Sequence, residues 1–173
     1  MNRGHTIAEG VMNSSTLLKR FIPGFTDDNH TRQAPGLPNH VAWNLGHLAL
    51  TMHRVADKID GKGIPAADFI EGADKGDAQR FGTESVSFKS VPTDDKARYP
   101  GMTRCVAIFD AACERLAAGF RNADEATLEK TAPWGAVQVP LWGLGLRMAF
   151  HNGVHCGQIT DIRRAIGLPG VLG

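Results

Sequence analysis

Apolar side chains recur every three to four residues in four stretches of the chain, a rhythm that predicts four long helices. The first runs from Thr6 to about Ile22, with Ile7, Val11, Leu17, Leu18 and Phe21 at core spacing. Thr6 and Glu9 form a capping-box start, and Pro23-Gly24 ends it. The second is capped by Asn39 and closed by Gly61, and turns Val41, Leu45, Leu48, Met52, Val55 and Ile59 toward a core. The third starts at Thr93-Asp94-Asp95 and runs to about Phe120, with Pro100-Gly101 kinking or interrupting its first turns. The fourth starts at Pro140 and runs to Ile166, before Gly167 and Pro169. Gly143, Gly145, Gly153 and Gly157 each cost this helix roughly 1 kcal/mol relative to Ala, so packing or function has to offset them.

Between the second and third helices, residues 61–92 are rich in Gly, Asp and Ser, with one candidate strand at Ser85–Lys89. A connection this long is uncommon without a function, and it reads as a crossover with a lid-like section. It also lets the third helix run parallel to the second. The expected fold is all-α, a four-helix bundle with a long connection between helices two and three. At 173 residues the chain fits one domain spanning 1–173.

Charge excludes more than it assigns. Nineteen Lys+Arg against eighteen Asp+Glu leave +1, with no basic block to grip a nucleic-acid backbone. No apolar run reaches the ~18 residues of a membrane span, and the first residues lack a secretory pattern, so the expected location is cytoplasmic. Cys105, Cys113 and Cys156 form neither an even set nor a CxxC pair, which argues against disulfides and zinc ribbons.

The candidate chemistry lies in the histidines. His151 and His155 are one helical turn apart on one face, the spacing of helical metal sites. Chance alone yields such a pair roughly 0.3 times in a chain of this composition, so the pair needs support. His47 supplies it, because it sits among Leu45, Leu48 and Ala49 on an inward face where an unpartnered imidazole costs ~1–3 kcal/mol. If helices two and four are antiparallel, His47 lies ~12 Å from the start of its helix and His155 ~16 Å from the end of its own, at one depth. Three imidazoles and an open position are the ligand set of a catalytic zinc site, although imidazole also suits nickel, iron and copper. His40 shares the face of His47 and competes for the third place, but lies near the mouth of the bundle, while His53 points elsewhere. Gln158 could orient a ligand or bound water; Asn44 and Asn152 are weaker candidates, and the three tryptophans read as core and rim aromatics. No phosphate loop, nucleophile elbow or catalytic carboxylate pair is present.

Two segments resemble the DinB/YfiT-like family of metal-dependent four-helix bundles. Asn39-His-Val-Ala-Trp-Asn-Leu-Gly-His47-Leu-Ala is similar to the family's second-helix segment, which supplies one metal ligand. His151-Asn-Gly-Val-His155-Cys-Gly-Gln158-Ile is similar to its H-x-x-x-H-x-G-Q stretch, which supplies two. Asn152 departs from the pattern, since many members carry a glutamate there. The resemblance implies up-down-down-up order, a zinc or nickel ion on His47, His151 and His155, and a homodimer. It does not imply one reaction: relatives include mycothiol-dependent maleylpyruvate isomerases and bacillithiol transferases. Two functions follow as expectations. One is a metal-dependent hydrolase or thiol-dependent transferase acting on a small molecule or low-molecular-weight thiol. The other is a non-catalytic, metal-stabilised dimeric module that binds a ligand or a partner. Asn152 and the lack of a clear general base favour the second slightly. A pocket that opens from the 61–92 segment onto the metal's free position would separate the two.

Overall fold

Four long helices carry nearly half of the chain in the computed structural model, which describes residues 2–72 and 75–171. They are α1 (Arg3–Lys19), α2 (Val41–Asp60), α3 (Met102–Asn122) and α5 (Leu141–Ala165), with a short α4 (Glu125–Glu129) after α3. Their apolar faces meet in one core that includes Val11, Leu18, Leu45, Leu48, Ile108, Phe109, Leu116, Leu144 and Ile159. Among the described residues no helix is long and apolar enough to cross a membrane.

The helix starts differ from expectation. Asn2 caps α1 by accepting from the His5 N–H, and Thr6 lies inside the first turn with its hydroxyl donating to the Asn2 carbonyl. His40 caps α2: its Nδ1 accepts from the Trp43 N–H, while Asn39 donates to Gln158. The third helix begins at Met102 rather than Thr93, because a proline lacks the N–H and forces the preceding Tyr99 into an extended conformation. Ahead of Pro100 stands only a 3-10 turn, Lys96–Arg98, and the Asp27 carboxylate accepts from the Met102 N–H at 2.6 Å.

Cross-contacts give the helix directions. Gly10 and Ser14 of α1 face Ala149 and Asn152 of α5, so these two run parallel. Gly4 meets Phe120 and Lys19 pairs with Asp110, so α1 and α3 are antiparallel. Met52 touches Cys113 and Ile59 lies against Gly119, so α2 and α3 run parallel. Asn44 meets His155 and His47 meets His151, so α2 and α5 are antiparallel. Gly145 earns its place in α5, since a Cβ there would stand 2.3 Å from Ile7 Cγ2 and 2.7 Å from Phe120 Cζ. Gly153 and Gly157 meet nothing within 4 Å.

The chain is mostly helical, but two small strand pairings depart from the all-α expectation. After Gly61, whose φ of +67° closes α2, β1 (Phe69–Ile70) pairs in parallel with β2 (Phe81–Gly82). Ala73 and Asp74 of the expected excursion lie outside the described residues. The expected strand at Ser85–Lys89 is a run of turns. Serine hydroxyls there bond to nearby carbonyls, Ser87 to Glu84 and Ser90 to Ser85, and Lys89 takes a positive φ, all of which oppose an extended ladder. This segment lies directly on α2 at Gly46, where a Cβ would stand 2.8 Å from the Phe81 ring and 2.9 Å from Val86 Cγ1. A second pairing, β3 (Thr131–Trp134) with β4 (Val137–Pro140), is an antiparallel hairpin turned at Gly135 and leads into α5.

Candidate metal centre

Halfway along α2, the inward face that buries Leu45 and Leu48 also buries His47. Opposite it on α5, His151 and His155 stack one turn apart, as the four-residue spacing requires. The three rings stand with centroids 4.6 to 5.2 Å apart, and one ring nitrogen from each lies within 4.8 Å of the others. His47 and His155 are buried and His151 is half-buried.

Hydrogen bonds fix which nitrogen of His47 and of His155 faces inward. His47 Nδ1 lies 2.8 Å from the Val86 carbonyl, which only accepts, so Nδ1 carries the proton and Nε2 keeps a lone pair. His155 Nδ1 lies 2.5 Å from Asn44 Oδ1, and the Asn44 amide cannot flip because its Nδ2 donates to the His40 carbonyl at 2.9 Å. His155 Nδ1 therefore donates, and its Nε2 is bare. That Nε2 stands 3.1 Å from His151 Nε2. Two nitrogens held ~2.0–2.1 Å from one zinc ion at the tetrahedral angle would be about 3.3 Å apart, so the pair already has the span of a metal chelate. The Nδ1 of His151 is buried without a partner among the described residues.

The protonation states agree with ligation. Burial lowers the pKa of His47, and burial followed by the neighbouring histidines lowers His151 to about 4 and His155 to about 3. Near neutral pH all three are uncharged imidazoles, the form that binds a metal. A donor set of three neutral, converging imidazoles fits a divalent ion.

The other histidines are engaged elsewhere. His40 Nε2 donates to the Thr93 carbonyl at 3.0 Å while its Nδ1 caps α2, so neither nitrogen is free. His53 accepts from Arg115 through Nδ1 and lies 3.8 Å from Asp68 through Nε2. Gln158 accepts from Asn39. Asn152 is buried beside the site and donates to Ser14, facing α1. Cys156 is buried, and burial raises its pKa. Sequence reasoning ranked Asn44 too low, although a polar residue one turn before His47 on a buried face was a signal. It also missed the Val86 carbonyl, for which a sequence carries no signal.

Trp43 stacks on His47, 4.6 Å between centroids and 8° between planes, and its indole N–H donates to Ser90 of the 83–92 segment. A cavity of about 450 Å³ lies beside the rings, lined by His47, Thr51, Arg54, Phe88, Trp134, Gly135 and His151. Access to the cluster therefore runs between the 83–92 segment and the β3–β4 hairpin.

A solved structure, "Crystal structure of the conserved protein of locus from Enterococcus faecalis", superposes with a TM-score of 0.72 at 13% identity, covering 96% of this chain and 99% of that one. At that identity the likeness establishes the fold alone. No curated protein matches the sequence. The DinB superfamily profile matches residues 13–159, which contain α2, most of α5 and all three converging histidines. The chain is a member of the DinB superfamily.

Proposed function

We propose that residues 1–173 form one DinB-like domain, an up-down-down-up four-helix bundle, that binds a divalent metal, zinc or nickel, through His47, His151 and His155. We propose further that it uses this metal as a thiol-dependent transferase or hydrolase. The observation that carries the reading is the cavity: two of the three histidines line an accessible space within the ordinary size range of small-molecule sites. An ion there would act as a Lewis acid, lowering the pKa of a thiol or a water that it binds. No aspartate or glutamate lines the cavity among the described residues, so the chain offers no evident general base there. That favours the thiol over water, because a thiol starts at pKa ≈ 8.5 and water at 15.7. Asn44 and Val86 orient the ligating rings, and Phe88 and Trp134 supply apolar walls.

The test is elemental analysis of the purified protein, followed by a screen of low-molecular-weight thiols against electrophiles and of small esters. One equivalent of metal and transfer that requires it support the reading. A protein that takes up no zinc, nickel, cobalt or manganese defeats it.

The alternative, a non-catalytic dimeric module, draws on α5. Leu146, Phe150 and Val154 are exposed along one side, Phe150 at 75%, and the open Gly153 and Gly157 lie on the same arc. A helix apolar on both faces calls for cover on both, and a second copy is the proposed cover. Phe150→Asp then shifts a dimer to monomer in light scattering; a wild-type monomer at micromolar concentration refutes the pairing.

A further inference from the structure

From Val41 to Ala56 every residue of α2 is buried except Arg54. This one exposed position opens into the cavity that His47 and His151 line. Arg54 makes no hydrogen bond or ion pair among the described residues, whereas Arg3, Arg80, Arg104, Arg115 and Arg121 each hold a carboxylate. It lies two helical turns beyond His47, ~10 Å along the axis, and a long helical side chain leans back toward the N-terminus over the preceding turn. Between the two stands Thr51, whose hydroxyl is committed to the His47 carbonyl at 2.7 Å. Phe88 and Trp134 form the cavity's aromatic sides. Phe88 is 75% exposed, with the Lys89 ammonium 5.6 Å from its ring centroid. One end of the space is thus formed by His47 and His151, the middle is aromatic, and the far end is the unpaired Arg54 guanidinium, with no carboxylate in this lining; Arg54 also borders a second cavity, which Glu71 lines.

We infer that the small molecule bound here is an anionic one, an aryl or similarly flat apolar carboxylate, whose acid group pairs with Arg54 while its body lies between Phe88 and Trp134. The inference rests on the reading of the histidine cluster as an open metal site, and adds to it which end of the substrate goes where. A guanidinium is suited to this task because its fork matches a carboxylate bidentately and keeps its charge at any working pH. The length of the cavity then sets the substrate: the reacting group must lie about one ring and a short spacer away from the acid.

The test uses the whole protein, zinc-loaded and metal-free, with 2-mercapto-3-phenylpropanoate and its neutral carboxamide as probes, followed by titration calorimetry. The expected result for the zinc-loaded wild type is at least tenfold tighter binding of the acid. Arg54→Met abolishes that preference while keeping full zinc content and its affinity for the amide, and Arg54→Lys restores part of it. The metal-free wild type still prefers the acid over the amide, though both bind more weakly. Equal affinity for the two probes, or no detectable binding of the acid at millimolar concentration, overturns the inference. So does a preference that survives in Arg54→Met but vanishes with the zinc, because the ion itself would then hold the acid. Failure of the metal reading has a different outcome: zinc fails to bind the wild type, while the acid-over-amide preference, read in the metal-free protein, persists and still depends on Arg54.

Discussion

Helix α2 buries two polar clusters less than two turns apart, and they are built on opposite logic. Around His53 every charge has an opposite: Arg115 holds Asp60 in two bonds and donates to His53 Nδ1, and Arg104 holds Asp68, which faces His53 Nε2. Around His47 three uncharged rings converge with no counter-charge among them. The first cluster pairs its charges, although His53 Nε2 stays 3.8 Å from Asp68 without a hydrogen bond, and it ties residues 60–68 to α3. The second leaves His151 Nδ1 without a partner among the described residues, and its converging rings could hold a cation. Burial of histidine is common to both, so burial alone does not separate a structural from a ligating one; the polarity of the groups that face it does.

The largest effect that divides the clusters is metal loss. His151→Ala or His155→Ala abolishes stoichiometric metal binding and its thermal stabilisation, because ligands bind only the folded state, while His53→Ala leaves metal content intact. Elemental analysis and melting curves with added zinc read both, and metal retained by the first two variants erases the distinction. Next in size, Arg115→Met strands Asp60 and the Nδ1 of His53, and lowers unfolding free energy by about 2–3 kcal/mol in urea titration without altering metal affinity. Asn44→Leu works in reverse. It removes the acceptor that fixes the His155 tautomer, so metal affinity drops about tenfold to a hundredfold by calorimetry. His47→Ala weakens affinity at least tenfold, about 1.4 kcal/mol, whereas His40→Ala costs about 1 kcal/mol of stability as a lost helix cap and spares the metal.

The broadest effect touches both clusters and His40 together. Burial lowers His40, His53 and His151 to about 4 and His155 to about 3 from an ordinary 6.5. Below 6.5 the unfolded chain takes up protons that the folded one refuses, so the metal-free protein loses stability as pH falls from about 6.5 toward 4 and is at its best above that window. Urea midpoints across pH 4–8 that stay flat would contradict these shifts.

The helices and the triad were legible because both rest on spacing. Periodicity placed α1, α2, α3 and α5, and depth along two antiparallel helices chose His47 over His40. Caps were harder, since Thr6 and Asn39 are as good by residue type as the Asn2 and His40 that hold the positions. The β3–β4 hairpin escaped notice because Pro133 and Gly135 break up a four-residue alternation too short to register. Arg54 was invisible as a ligand contact: on the wheel it is one more exposed charge, and only the cavity gives it meaning.

Gly46 bears on time as well as on shape. Because it has no side chain, the 83–92 segment can rest on α2 closely enough for Val86 to hold His47, with Trp43 and Ser90 as a second tie. That segment is a turn-rich strap with no helix or strand of its own, the kind of region that opens locally more often than the helices unfold. Each opening takes the Val86 carbonyl from the His47 ring, while all three histidines stay on their helices. For an ion held as proposed, each loosening of the Val86 tether weakens the orientation of one ligand and shortens the ion's stay, and a methyl group at residue 46, which displaces Val86, shortens it further.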